Sequence, residues 1–151
     1  YMTGELLQSY GNAPKMIIAM FDTGGTINTI DFHSEYHGHE NSPQELLDAI
    51  DELDRDFSAQ QIGKVATLSA LANQHLVHKP QLEEIIEYAK SLGALGVNVA
   101  HSGTMMGVLF AADESMNKVL EAAKLIGAKF PHLEYFETER LISGGYEIEQ
   151  R

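Results

Sequence analysis

The segment GVNVAHSGTMMGVLFAA, residues 96–112, decides the fold. Two apolar runs, GVNVA and MMGVLFAA, flank a turn made of His101, Ser102, Gly103 and Thr104. Such runs on either side of a Gly-containing turn predict two adjacent strands. Gly and Ser are common in hairpin turns, so a turn alone is enough to explain their presence here. A further glycine at 107 and two hydroxyls suggest in addition a backbone that a ligand approaches closely, with turn N–H groups that attract anions.

The rest of the chain predicts one more strand on each side of this pair, with helices between. Several helices have recognisable ends, with Ser42, Pro43 and Glu45 forming a capping box, Pro80 starting a helix, and Gly93 and Gly127 ending helices. The predicted strands are 15–25 and 132–142, with 26–32 extended and 33–41 a loop, and the predicted helices are 43–53, with Pro43 in its first turn, 58–77, 80–96 and 113–130.

Helical periodicity also predicts which side chains face the core. The expected inward residues are Leu46, Leu47, Ile50 and Leu53 in the first helix, Ile62, Val65, Leu68 and Leu71 or Ala72 in the second, and Leu82, Ile85, Ile86 and Ala89 in the third. The order strand, helices, strand, strand, helix, strand predicts an α+β, ferredoxin-like split βαβ sandwich with extra helices in its first crossover. We expect residues 1–151 to form a single domain.

Composition excludes several classes of function. The net charge of −12 would repel phosphate backbones and anionic membranes, so no nucleic-acid or membrane partner is expected. The longest apolar run, residues 16–21, is too short to span a bilayer. The absence of cysteine is compatible with a cytoplasmic location, which we expect.

A second motif, FDTGGT at residues 21–26, places a carboxylate at the end of the first strand. Taken alone it is a polar loop start or a site at the edge of the sheet. It lacks the Gly-Lys-Ser/Thr of a P-loop and the spacing of a dinucleotide fingerprint, and Ser102 is not in a hydrolase nucleophile elbow. The candidate residues of this motif are Asp22, Thr23, Gly24, Gly25 and Thr26.

A cluster of histidines offers an alternative site. His33, His37 and His39 share the segment HSEYHGHE, and imidazoles beside carboxylates suit zinc or another transition metal. Histidines in an exposed loop also cluster by chance, so no physiological metal is assigned to them.

The two glycine motifs together resemble one family. AHSGTMMGVLF is similar to the third conserved motif of the GHMP kinases, and FDTGGTINTIDFH resembles the opening of the C-terminal domain in one branch. That branch comprises the L-threonine kinases associated with cobalamin synthesis and propanediol utilisation. The resemblance covers nearly the whole chain. It implies a ferredoxin-like C-terminal domain of a two-domain, ATP- and Mg²⁺-dependent kinase that phosphorylates a small-molecule hydroxyl, with L-threonine as the expected acceptor.

The resemblance also implies positions for the site residues. Ser102, Gly103, Thr104 and Gly107, with His101 beside them, would lie near the nucleotide phosphates and the acceptor. Asp22 to Thr26 would lie near the domain interface. Asn28 stands where this branch is expected to have an acidic residue, which leaves the acceptor open.

The family's main ATP motif, Pro-x-x-x-Gly-[Leu/Ile/Met]-[Gly/Ser]-Ser-Ser-Ala, is missing from these residues. We therefore expect a C-terminal part that is inactive alone, has its catalytic base elsewhere, and partners its own N-terminal kinase domain. The surface that such a domain would cover should be apolar, and a homodimer through it is conceivable. Two alternatives stay open: a stand-alone ferredoxin-like module that binds a small molecule without turnover, and a histidine metal module.

Overall fold

A computed structural model describes residues 11–25, 42–101 and 103–143. Apolar, β-branched runs form the strands, and segments with helical periodicity form the helices, as the sequence predicts. The elements of the described part are β1 (Met16–Asp22), α1 (Gln44–Glu52), α2 (Ala59–Ala72) with a short 3₁₀ turn (Asn73–His75), α3 (Leu82–Ser91), β2 (Gly96–Val99), β3 (Met105–Ala111), α4 (Met116–Lys129) and β4 (Glu134–Arg140).

The four strands form one antiparallel sheet in the order β2-β3-β1-β4. β1 and β3 are central and pair along their full lengths, from Met16 opposite Ala111 to Asp22 opposite Met105. This is the strand order of a ferredoxin-like split βαβ sandwich, and the predicted fold class is confirmed. Its consequence for function is that β1 ends where β3 begins.

The core lies between one face of this sheet and the helices. Alternate residues of β1, Ile17, Ala19 and Phe21, are fully buried there, as the period of two in a strand requires. The predicted inner face of α3 is confirmed, with Leu82, Ile85, Ile86 and Ala89 all buried. The same core includes the buried residues of α4, which packs beside α3: Val119, Ala122, Ala123 and Ile126.

The predicted inner face of α2 is wrong apart from Leu71, which is partly buried and packs against the core. The buried residues of this helix are Gln61, Gly63, Thr67 and Ala70, whereas Ile62, Val65, Leu68, Leu71 and Ala72 are only partly buried. Gly63 crosses β2 so closely that a Cβ on it would lie 2.6 Å from the Leu95 carbonyl oxygen. The Thr67 hydroxyl donates to the Gly63 carbonyl and accepts from the Val97 N–H. Small residues therefore face the sheet because backbone approaches backbone there.

The first helix also turns a different face inward. Only Leu46 and Ala49 are buried, Leu53 is partly buried, and Leu47 and Ile50 are 42% and 39% exposed. The reason is that α1 packs on α2 and not on the sheet, with the Gln61 side chain donating to the Ala49 carbonyl at 2.7 Å. The N-cap position of α1 is held by Pro43, one residue after the predicted cap Ser42.

Two predicted helix ends differ by a few residues. The third helix begins at Leu82, since Gln81 takes a left-handed conformation with φ of 57°, so Pro80 precedes the helix. Gly93, with φ of 95°, follows the end of α3 as predicted. The fourth helix begins at Met116, three residues after the predicted start, and continues through Gly127 to Lys129, close to the predicted end at 130.

The outer strand β4 is almost entirely exposed, and a β-bulge interrupts its pairing with β1. Met20 lies opposite Glu137 and Phe21 opposite Tyr135, so Phe136 is the extra residue and is 63% exposed. Exposed apolar side chains are thus found on β4 and on α1, at separate places. Among the described helices, none has the length and apolar character needed to cross a membrane.

Candidate functional site

The two glycine motifs meet at one end of the sheet. The Thr23 N–H donates to the Thr104 carbonyl at 2.9 Å, and the Thr23 hydroxyl donates to the same oxygen at 2.7 Å. These bonds extend the β1–β3 ladder by one step beyond the Asp22–Met105 pair. Segments separated by about eighty residues of sequence therefore form one surface.

Asp22 ends β1 and shapes the turn that follows. Its Oδ1 accepts the Gly24 N–H at 2.8 Å, the local bond that Asp favours in turns. Gly24 and Gly25 have φ of 73° and 88°, a conformation that L side chains rarely adopt. The Gly24 N–H, the Thr104 hydroxyl and the charge of Lys79 together hold the pKa of Asp22 below its ordinary value. An ionised carboxylate therefore stands at this edge.

The turn between β2 and β3 lies beside Asp22. The Ala100 N–H donates to the Met105 carbonyl at 2.8 Å, which closes the turn across residues 101–104. His101 is exposed, and its Nε2 lies 3.3 Å from the Ser69 hydroxyl of α2. Gly103 and Thr104 are both partly buried.

Lys79, in the loop before α3, is the residue that sequence reasoning missed. It is only 2% exposed, and its Nζ donates to the Gly103 carbonyl. Burial lowers the pKa of Lys79, and the charge of Asp22 opposes this effect. No local sequence pattern predicts this burial, because a lysine before a proline between two helices is usually a solvated surface residue. Its burial depends on how α2, α3 and the turn pack together.

The other predicted site residues divide into two groups. Gly107 lies inside β3, opposite Met20 and Asn98, where an added Cβ would collide with the Asn98 side chain. A side chain at this position would therefore require the Asn98 side chain to move. Thr26, Ser102 and the candidate metal ligands His33, His37 and His39 lie outside the described residues. Within the described ranges, no cluster of three or more His, Asp or Glu could hold a metal ion.

The arrangement combines one carboxylate, one buried ammonium and a glycine-rich turn. The Asp22 carboxylate can accept a hydrogen bond from a hydroxyl or an ammonium group. Across the turn, Lys79 supplies positive charge in a chain whose net charge is −12. Peptide N–H groups of a Gly-containing turn can donate to an oxyanion. Groups that can bind a hydroxyl compound and groups that can bind an anion thus lie at the same edge of the sheet.

The fold, with a glycine-rich edge where β1 ends and β3 begins, is that of a ferredoxin-like α+β domain. The family model described as GHMP kinases C terminal matches residues 40–129. The chain belongs to this family.

Curated relatives and solved structures agree with that assignment. An L-threonine kinase from Citrobacter freundii is 26% identical over an alignment of 143 residues, and the match covers 90% of this chain and 49% of the relative. An L-threonine kinase from Salmonella typhimurium is 26% identical over 101 residues, 64% of this chain and 34% of that protein. The chain therefore spans about half the length, or less, of the curated relatives it matches.

The fold is shared with solved kinases. The crystal structure of L. major mevalonate kinase in complex with R-mevalonate superposes with a TM-score of 0.64 at 17% identity, covering 92% of this chain and 46% of that one. Streptococcus pneumoniae phosphomevalonate kinase, in complex with phosphomevalonate and AMPPNP, gives 0.57 at 12% identity, with 89% and 42% covered. At these identities the likeness shows the fold alone.

Proposed function

We propose that this chain is the C-terminal domain of an ATP-dependent kinase that phosphorylates the hydroxyl of L-threonine. The observation that carries the proposal is the junction of the two glycine motifs, in which Thr23 donates twice to the Thr104 carbonyl. The printed names of the curated relatives support the choice of L-threonine. The reaction would transfer a phosphoryl group from ATP to the alcohol oxygen, with release of ADP and a proton.

In this proposal the chain's own residues position the reactants. The Asp22 carboxylate accepts a hydrogen bond from the amino acid, either from its ammonium group or from its hydroxyl. The Gly103–Thr104 peptide faces the phosphoryl group that is transferred. Stabilising developing charge with fixed N–H donors is the main contribution that a protein makes to phosphoryl transfer. The group that accepts the hydroxyl proton is not assigned to any residue of this chain.

ATP fits the donor set, because the turn and Lys79 supply N–H donors and a positive charge at the same edge of the sheet. ATP, when bound, supplies the phosphoryl group. We propose that Mg²⁺ binds together with ATP in the complete enzyme. The described residues do not form a site for the metal, because Asp22 does not have two further carboxylates or histidines among them close enough to bind the same ion. We therefore derive no step through the metal.

Steady-state assays of ADP release test the proposal. The full-length product of the gene and the 151-residue chain would each be incubated with Mg-ATP and L-threonine, homoserine, galactose or mevalonate. We expect threonine-dependent turnover by a longer product that supplies an N-terminal kinase domain, and none by the 151-residue chain. Turnover with a different alcohol would support the kinase activity but would rule out L-threonine as the preferred acceptor.

A matched pair of variants links the activity to this edge of the sheet. Asp22→Ala should lower kcat/KM for the acceptor by at least about tenfold, as expected when a bond to a charged group is lost. Asp51→Ala, an exposed carboxylate on α1, is the control and should leave kcat/KM unchanged. A full-length product that releases no ADP with any acceptor would contradict the proposal and favour a binding module without turnover.

A further inference from the structure

Lys79 is held in place by a clamp on its own backbone. Its N–H donates to the Gln74 Oε1 at 2.6 Å, and its carbonyl accepts from the Gln74 Nε2 at 3.0 Å. One side chain thus fixes both backbone groups of Lys79, five residues away along the chain. The lysine side chain then has a defined starting point from which its ammonium reaches the Gly103 carbonyl.

The bond to Gly103 has a geometric consequence for the next residue. The peptide bond is planar and trans, so the Gly103 carbonyl and the Thr104 N–H belong to one rigid unit and point in opposite directions. Pulling the carbonyl toward Lys79 therefore turns the Thr104 N–H away from it. Within the described ranges, this N–H has no hydrogen-bond acceptor, although the Thr104 carbonyl accepts two bonds from Thr23.

Burying an ammonium group is unfavourable unless it is paired. Lys79 is 2% exposed, and its Nζ partner within the described residues is a neutral carbonyl, with Asp22 as the nearby opposite charge. An apolar side chain in this position would avoid that cost and would still fill the space. We therefore attribute the presence of a lysine at this position to the hydrogen bond that its ammonium group donates to the Gly103 carbonyl.

We propose that Lys79 is a positioning residue, which orients the Gly103–Thr104 peptide so that the Thr104 N–H is presented to an oxyanion of the ligand. The inference rests on the proposed function in one respect, because there the oxyanion is a phosphoryl group. The role of Lys79 itself is a property of the 151-residue chain. It can be measured without turnover.

The test is NMR of the ¹⁵N-labelled 151-residue chain with pyrophosphate as the probe. In Lys79→Met, the Thr104 amide resonance should shift before any probe is added, and its hydrogen exchange should change in rate by about tenfold. Affinity for pyrophosphate should fall by about tenfold, as expected when one charge-assisted bond no longer orients the donor. Lys79→Arg keeps a donor for the Gly103 carbonyl. Its Thr104 amide and its affinity for pyrophosphate should therefore stay close to those of the wild type. Lys90→Met, which removes an exposed cation from α3, should change neither the Thr104 amide nor the affinity for pyrophosphate.

The one-bond N–H residual dipolar coupling of Thr104 in the unliganded chain reports the direction of that bond, and it therefore separates reorientation of the amide from simple loss of charge. A folded Lys79→Met chain with an unchanged Thr104 amide overturns the proposal, as does a wild-type chain that binds no pyrophosphate. If Lys79→Met does not fold, Gln74→Ala, which releases the backbone clamp, replaces it, and an unchanged Thr104 amide there overturns the proposal equally.

Kinetics of the full-length product give an independent reading. Lys79→Met should lower kcat by about tenfold while the KM for the alcohol changes by less than about twofold, because the donor acts on the transferred group. A wild-type product that is inactive with every acceptor would refute the proposed function, yet the Thr104 comparison would still decide the role of Lys79. Normal kcat in Lys79→Met would overturn the inference and leave the kinase intact.

Discussion

At the scale of single residues, Asp22 links the stability of this edge of the sheet to pH. Its folded-state pKa lies below the ordinary value of 3.8, chiefly because the carboxylate accepts the Gly24 N–H and also interacts with Thr104. A lowered carboxyl pKa contributes stability that is fully present above the unfolded-state pKa and is lost as the pH falls through the folded-state pKa. The contribution of Asp22 is therefore expected to disappear only in acid.

The variant Asp22→Asn tests the predicted direction of this pH dependence. The amide oxygen still accepts from Gly24, so the turn is kept while the charge is removed. We expect the variant to be less stable than wild type at about pH 6 and the difference to shrink toward about pH 3. Urea unfolding at both pH values measures it, with Asp51→Asn as the control for the loss of one negative charge. A difference that is equal at both pH values would contradict the assignment.

Part of this residue-level picture could be predicted from sequence. Asp22, Gly24 and Gly25 were predictable because a carboxylate followed by two glycines after an apolar strand has few structural explanations. Lys79 was not, since its importance comes from a contact 24 residues away that no local pattern encodes. The place of Gly107 near the phosphates stays a prediction, and within the sheet an added Cβ there would meet the Asn98 side chain.

At the scale of elements, the packing of α2 on β2 depends on two glycines. A Cβ on Gly63 would meet the Leu95 carbonyl oxygen at 2.6 Å, and one on Gly96 would collide with the backbone of Gly63. Both obstacles are backbone, which cannot rotate away as a side chain does. The helix and the strand would have to separate, and the Thr67–Val97 bond of 3.0 Å would lengthen with them.

Gly63→Ala and Gly127→Ala form a matched pair of helix substitutions. Gly63→Ala should destabilise the chain by about 3 kcal/mol through overpacking, despite the better helix propensity of alanine. Gly127→Ala adds its methyl group in open space inside α4 and should stabilise by roughly 0.5–1 kcal/mol. Thermal or urea unfolding of both variants measures the contrast. Equal effects of the same sign would show that the contact at Gly63 is not tight.

Sequence patterns predicted which elements exist better than which faces they bury. The stripe of Leu and Ile in α3 faces the core because that helix lies flat on the sheet. In α2 the larger apolar residues were expected inside, but close backbone contact selects Gly63, Thr67 and Ala70 instead. The imperfect alternation of β4 has a similar cause, since the bulge at Phe136 shifts the register by one residue.

At the scale of the whole molecule, the strand order followed from the order of the elements. An antiparallel sheet built from strand, helices, strand, strand, helix, strand has few topologies without crossing connections. The meeting of the two glycine motifs follows from this topology, because central β1 and β3 run in opposite directions. The fold and the meeting of the two motifs were therefore predictable together. The Lys79 ammonium beside them was not, because it comes from a connecting loop.

The net charge of −12 makes the stability of the whole chain depend on salt. Repulsion among the acidic groups destabilises the compact state, and salt screens it over a Debye length of about 10 Å at 0.1 M. Salt also weakens attractive ion pairs, but the described pairs, Lys64–Glu52, Lys118–Glu114 and Lys124–Glu121, are on the surface. Because exposed pairs contribute about 0–1 kcal/mol each, repulsion should dominate the response to salt.

Raising NaCl from about 10 mM to about 300 mM should therefore increase the Tm by about 3 °C, the shift that about 1 kcal/mol produces in a chain of this size. Glu137 and Glu139 are exposed, lie on the same strand and add to the repulsion. The double variant Glu137→Gln/Glu139→Gln should have a higher Tm at low salt and a smaller response to NaCl. Differential scanning calorimetry of both proteins measures this. A Tm that falls with salt would mean that ion-pair attraction outweighs the repulsion, and that the acidic surface stabilises the fold.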